Sequence, residues 1–321
     1  MNLIRTFAKE CINILIIMQT KRANTDRRYA IGSDVGGSHI YSAVINLETG
    51  RTVGNPIITP IDSKASAETI VSTLSSNILS AKENSGIRGN IAGAGIAFPG
   101  PFDYVHGISL IRGVGKYDSI YGLNVNASLY SRLYSHGIQS FKFLNDASAF
   151  ALGEYTFGAT KDCNRVVAIT LGTGVGSGFI ADGKLVEDGN EVPAFGWVYH
   201  LPFEGSTVDD SFSTRWICKR YEGLTGEQVT GAKDVADRYS CDGNARMLFE
   251  EYGFRFGSFI IPILEKFHAD ALVLGGNISK AFSLFKPSLE KVFAEADCKI
   301  PVFTSALLDK AASTGAASLF K

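Results

Sequence analysis

Asp34 stands two residues before the pair Gly36-Gly37 in "YAIGSDVGGSHIYSAVI" (residues 29–45), where an apolar strand would otherwise run on. Glycines at such a turn bare backbone N–H groups and Ser38 adds a hydroxyl, a donor set suited to phosphate oxygens. A carboxylate beside phosphates is repelled unless a divalent cation lies between them, normally Mg2+ with its waters. Asp34 is therefore the candidate metal-side carboxylate. A second hairpin, "VVAITLGTGVGSGFIADGKL" (166–185), overlays the first if Gly172-Thr173-Gly174 is set against Gly36-Gly37-Ser38, which puts Thr170 opposite Asp34. A third glycine turn, Gly275-Gly276-Asn277, follows in "HADALVLGGNISKA" (268–281). Phosphoryl transfer also needs a base near the acceptor hydroxyl. Asn145-Asp146, between a strand and a helix, is the best candidate: the helix N-terminus favours the carboxylate and the asparagine can grip a sugar hydroxyl. The same pair also fits a plain helix N-cap.

The elements around these residues alternate as in an α/β protein. Residues 29–35 and 39–47 read as strands joined through the glycines. "AETIVSTLSSNILSAKENSG" spaces Ile70, Leu74 and Ile78 four apart, with Val71 and Leu79 alongside, as an amphipathic helix that stops at Gly86. "NIAGAGIAFPG" (90–100) reads as one buried strand ending in a Pro-Gly loop, "IQSFKFLND" (138–146) as another, and "ASAFALGEYTFG" as a closely packed helix. Two copies of one hairpin imply two similar lobes facing a cleft, divided at about residue 145, rather than a solenoid of three or more repeats.

Composition sets the class of partner. The chain has 321 residues, 45% hydrophobic and 20% charged, enough for two lobes. A net charge of -1 gives no overall electrostatic reason for a nucleic-acid or anionic-membrane partner. Cys11, Cys163, Cys218, Cys241 and Cys298 are scattered without a C-x-x-C pair, as expected of reduced thiols in a cytoplasmic protein. "CINILIIM" (11–18) superficially resembles a secretory signal, but it is too short to span a bilayer and no small-residue cleavage site follows. Residues 1–28 are expected to be a leader, poorly ordered or docked as a short helix.

Five motifs in register resemble the ROK family of sugar kinases and repressors: "DVGGSHI", "GIAFPGPFD", "LNDASAFALGE", "LGTGVGSGFI" and "LVLGGNIS". The resemblance covers residue 29 to 321. It implies an actin-like ATPase (ribonuclease H-like) fold, α/β and two-lobed with a central cleft. Residues 29–145 with 308–321 would form one lobe and 146–307 the other. It implies an ATP-dependent hexose kinase, glucokinase-like, that uses Mg2+ and works as a homodimer. On this basis Asp146 is the base, Asn145 binds sugar, and Pro99 and Gly100 lie on the sugar-side loop. Asp34 holds Mg2+ through water. Gly36, Gly37, Ser38 and Gly172 to Gly174 cradle phosphate, and Gly275, Gly276 and Asn277 lie near the nucleotide. The alternatives are a kinase for an N-acetylated hexose, or a non-catalytic sugar-binding regulator; family repressors carry an N-terminal DNA-binding domain for which 28 residues are too few.

The departures are informative. Where the family has Glu-x-Gly-His and a cysteine zinc cluster, this chain reads "FGWVYHLPFEGSTVDDSFSTRW" (195–216), so no structural zinc is expected. His200 matches the family histidine and is placed in the sugar pocket as a hydrogen-bonding group. Trp197 replaces the usual glutamate, either stacking on a pyranose or packing as core. Glu187 or Glu191 could supply the missing carboxylate, and Asp209, Asp210 and Arg215 could brace the loop. On the sugar-side loop the customary asparagine is missing, and Arg112 and Lys116 read as solvated charges rather than ligands.

Overall fold

The computed structural model describes residues 25–321. The signal-like segment 11–18 lies outside them. Residues 25–28 do not stand apart from the fold: Thr25–Asp26 pairs in parallel with Asn90–Ile91.

Two five-stranded sheets share one plan. The first contains β1 (Tyr29–Val35), β2 (His39–Asn46), β3 (Thr52–Pro60), β4 (Ala94–Ala97) and β5 (Phe141–Leu144), ordered β3-β2-β1-β4-β5. The second contains β6 (Arg165–Leu171), β7 (Val175–Ala181), β8 (Lys184–Leu185), β9 (Ala271–Gly275) and β10 (Val302–Thr304), ordered β8-β7-β6-β9-β10. In each sheet the hairpin side is antiparallel and the crossover side parallel. Asp34 neighbours Ala97 and Thr170 neighbours Gly275 across the same parallel step, which is the overlay expected from the hairpins. The turns differ by one residue, since β1 closes on β2 at Val35 and Ile40 whereas β6 closes on β7 at Leu171 and Val175.

Helix α1 (Ala67–Asn84) buries Ile70, Val71, Leu74 and Ile78 against the first sheet and starts at a Ser66 cap that accepts from the Thr69 N–H. The expected single strand at 90–100 is instead two short ones, Asn90–Ile91 and β4. The chain bends at Gly93, whose φ of 158° suits glycine and where a Cβ would strike the Phe320 ring. Helix α2 (Asp146–Phe157) begins directly after β5 and packs on β6 and β7. Behind the second sheet lies α3 (Gly243–Phe267), burying Phe249, Tyr252, Phe256 and Leu264.

Helix α4 (Ala311–Ser318) joins the halves. It packs on β1 and β4 and on α2. Only bare backbone admits it: a Cβ on Gly32 would lie 1.8 Å from the Ser313 carbonyl oxygen, and one on Gly95 1.8 Å from that of Ala316. In the other direction, a Cβ on Gly315 would lie 1.8 Å from the Ala149 carbonyl oxygen of α2. The Ala-rich C-terminal helix thus returns to the first sheet as expected, and touches the second half as well.

Among the described residues, no helix is long and apolar enough to cross a membrane.

Candidate active site

The ends of β4, β5 and β6 and the start of β7 open on a cleft of about 740 Å3, whose walls do not include Asp34, Gly36, Gly37 or Ser38 of the first hairpin. Its walls include Pro99, Gly100, Asn145, Asp146, Gly172, Thr173, Gly174 and Gly276 of the residues expected from sequence.

Asp146 is the first residue of α2. Its Oδ1 accepts from the Ala147 N–H at 2.9 Å. Its carboxyl group is open to water through the cleft mouth yet crowded by protein on the other sides. That burial raises its pKa against the lowering effects of the Ala147 N–H and of Lys116. Asn145 is a true N-cap, its Oδ1 accepting from the Ala147 and Ser148 N–H groups at 3.0 and 3.4 Å. The cap does not exhaust it. Nδ2 makes only a long 3.4 Å bond to the Tyr104 hydroxyl and can still donate to a ligand.

Asp34 points from the centre of the first sheet. Burial foremost, and then the charge of Asp146, push its pKa up to about 7. No protein donor among the described residues hydrogen-bonds its carboxylate. An unpaired carboxylate facing a second one is a set that a hydrated divalent cation fits, because the cation would offset both the desolvation and the repulsion.

The phosphate turns are built from unused amides. In the second, the Gly172 N–H donates to the Gly174 carbonyl at 3.0 Å, while Thr173 and Gly174 have no protein acceptor among the described residues. The first turn leaves the N–H groups of Gly37 and Ser38 free in the same way, its Gly36 N–H donating to His39 at 3.0 Å. A Cβ on Gly37 or Gly172 would meet no protein atom within 4 Å, so packing does not demand their bareness. Gly275 and Gly276 differ: a Cβ on either would lie 2.3 Å from Phe150 or from the Leu171 backbone, and Gly276 has φ +80°. They close the β6–β9 corner; Gly276 lines the cleft, while Gly275 is buried and Asn277 lies exposed at the start of a 3-10 turn.

Several residues take roles different from those expected. Asp209 accepts from the Val175 N–H at 2.7 Å and pairs with Arg215 at 2.6 Å, and Arg215 also donates to the Thr173 carbonyl at 3.2 Å. They brace the second phosphate turn, together with Thr214, whose N–H and hydroxyl reach the Gly172 carbonyl at 2.8 and 3.0 Å. Lys116 is exposed, as a solvated loop charge would be, and it also lines the cleft, near enough to Asp146 to lower that carboxyl's pKa. Arg112 lies over the exposed Tyr121 ring instead. Tyr117, which the sequence did not single out, anchors the Lys116 loop. Glu191 pairs with Arg165, and Glu187 is exposed beside Asp188; neither lines the cleft. Trp197 is a cleft wall and not core. His200 does not reach that wall; it is exposed and meets Tyr199 edge-on at 5.2 Å. Cys163, Cys218, Cys241 and Cys298 are free thiols.

The chain matches the ROK family over residues 30–321. It belongs to the ROK family. It is 26% identical over 295 residues to a polyphosphate glucokinase of Mycobacterium tuberculosis, covering 91% of each chain. It is 29% identical over 280 residues to an N-acetyl-D-glucosamine kinase of Vibrio cholerae, covering 81% of this chain and 88% of that one. Among solved structures, a ROK family glucokinase from Streptomyces griseus in complex with glucose and AMPPNP superimposes with a TM-score of 0.68 at 23% identity. That match covers 91% of this chain and 98% of the other, and fixes the fold as the two-lobed actin-like ATPase arrangement.

Proposed function

We propose that this ROK protein is a hexose kinase that transfers the γ-phosphoryl group of ATP to a sugar hydroxyl, glucose being the first acceptor to test. The observation that carries the reading is the cleft itself: a carboxylate of raised pKa, Asp146, shares it with the unused amides of Thr173 and Gly174. The kinase names of its ROK relatives support the same class.

Asp146 receives the proton of the attacking hydroxyl, and its raised pKa makes it a better acceptor than an ordinary aspartate. Asn145 Nδ2 orients a neighbouring sugar hydroxyl. The amides of Thr173 and Gly174 hold phosphate oxygens from one side, and those of Gly37 and Ser38 from the other. Asp34 would hold Mg2+ through water, and Mg2+ when bound supplies neutralisation of the phosphate charge. The bodies 29–145 with 308–321, and 146–307, are taken as those whose approach closes the cleft on its substrates and expels water. We take the working form to be a cytoplasmic homodimer with no nucleic-acid partner.

The test is ADP release with ATP and Mg2+ across glucose, mannose, N-acetylglucosamine and N-acetylmannosamine, repeated with polyphosphate as donor and glucose 6-phosphate as the readout. Sugar-dependent turnover that disappears in Asp146→Asn supports the reading. Sugar binding without turnover by either donor would instead make the protein a sugar-binding regulator.

A further inference from the structure

Residues 195–200 read Phe-Gly-Trp-Val-Tyr-His and carry no carboxylate or permanent cation. Burial alternates from a 3-10 turn at Ala194–Gly196, through an extended Trp197, into a turn at 199–200: Gly196 and Val198 are buried, while Phe195, Trp197 and Tyr199 face outward. Ser177 of β7 pins the inward side, its hydroxyl donating to the Gly196 carbonyl at 2.6 Å and accepting from the Val198 N–H at 3.0 Å. The outward rings form a continuous strip, with centroids 5.0 Å apart for Phe195 and Trp197 and 6.1 Å for Trp197 and Tyr199, tilted by 35° and 39°. Trp197 and Tyr199 line the cleft that holds Asn145 and Asp146. Phe195 continues the strip beyond the cleft wall, 59% exposed, with Tyr199 44% exposed.

Phe195 also has φ +59°, a backbone region that costs a bulky side chain energy and that clusters at functional sites. An exposed ring on a strained residue is not explained by packing, since burial would be the gain that offsets such strain. Flat, uncharged aromatic faces next to hydrogen-bonding groups suit the apolar face of a neutral pyranose, which stacks on rings through its C–H groups. A phosphorylated or acidic sugar would find no partner along the strip.

We propose that the strip is an acceptor subsite for a second neutral sugar ring, so that the enzyme accepts glycosides or disaccharides whose reacting ring sits at Asp146 and whose second ring lies over Trp197 and Phe195. This deepens, and rests on, the sugar-kinase reading of the same cleft.

Binding can be followed without turnover. The chain has two tryptophans, Trp197 and Trp216, so Trp216→Phe leaves Trp197 as the sole indole reporter. Titrating this protein with maltose, cellobiose and glucose should shift the Trp197 emission with at least one disaccharide. Phe195→Ala, made in that background at an exposed position outside the cleft wall, should weaken the disaccharide about five- to tenfold and leave glucose within about twofold, as expected for one lost stacking contact. Phe195→Tyr should restore binding, and KM for ATP should not change in any of these variants. Disaccharide binding unaffected by Phe195→Ala, or glucose weakened equally, overturns the subsite. So does a change of oligomeric state with saccharide binding intact, which would give the strip to a second copy of the chain. Sugar binding as expected but without ADP release overturns the kinase reading alone. Glucose turnover with no disaccharide response overturns this inference alone.

Discussion

The Tyr117 hydroxyl donates to the Gly36 carbonyl at 2.5 Å, tying the sugar-side loop to the first phosphate turn. Tyr117 is completely buried and left-handed at φ +59°, its ring packs on Phe98 at 5.3 Å, and its N–H donates to the Ser63 carbonyl at 2.6 Å. Burial, helped by Asp34, lifts its pKa to about 12, so it stays a neutral donor at working pH. Tyr117→Phe should keep the packing and lose the tie, costing about 1 kcal/mol of stability and raising KM for ATP. Chemical denaturation and steady-state kinetics on one preparation check both.

Asp146→Asn should keep the Oδ1 acceptor for the Ala147 N–H and so the start of α2, while removing the base. Turnover is expected to fall by about a thousandfold with sugar affinity within a few-fold. Isothermal titration beside single-turnover kinetics separates the two, and undiminished turnover would take Asp146 out of the chemistry.

Lys116 has no ion-pair partner among the described residues and faces Asp146 across the cleft. Lys116→Met should lower kcat/KM by about tenfold, with Lys116→Arg recovering most of it. Since Lys116 lowers the Asp146 pKa, its loss should move the acid limb of the pH–rate profile to higher pH. A profile that does not move would leave Lys116 without influence on the base.

Asp34 predicts an unusual stability profile for the metal-free protein. Its carboxyl pKa rises from 3.8 to about 7 on folding, so folding favours the protonated form. The stabilisation is complete below pH 3.8 and is lost as pH climbs through about 7, amounting to roughly 4 kcal/mol at about 1.4 kcal/mol per unit. Thermal melts in chelator should show the Asp34→Asn variant losing less stability than wild type between pH 5 and 8. Equal slopes would show that Asp34 is not buried as described.

Gly32→Ala and Gly315→Ala should each cost about 3 kcal/mol or more, because each Cβ would lie 1.8 Å from a carbonyl oxygen on a neighbouring element. Gly37→Ala meets no atom and should leave stability nearly unchanged while impairing ATP binding. Melting temperatures set against nucleotide affinity distinguish a packing glycine from a binding one.

Much of this site was legible because it is local. The strand-glycine-strand hairpins and the Asn145-Asp146 junction each lie within one short stretch, so residue type and spacing revealed them. What escaped the sequence is set by long-range packing. Tyr117 meets Gly36 from 81 residues away, and Arg215 meets Thr173 from 42. No period in "RGVGKYDSIYG" marks Lys116 as facing a cleft; the Tyr117 anchor and the Asp118 carboxylate, which accepts from the Gly113 and Gly115 N–H groups, decide that. Trp197 was ambiguous for the same reason, since a lone tryptophan reads alike as core or platform until its neighbours are known.

The carbonyl-to-glycine seams of α4 bear on how the chain emerges from the ribosome. Strands β1 and β4 are synthesised early, but the helix that covers their bare glycines begins only at Ala311. The first sheet therefore waits, with one face uncovered, until nearly all of the second half has been translated. Such late, long-range closure is slow and leaves an aggregation-prone surface open meanwhile.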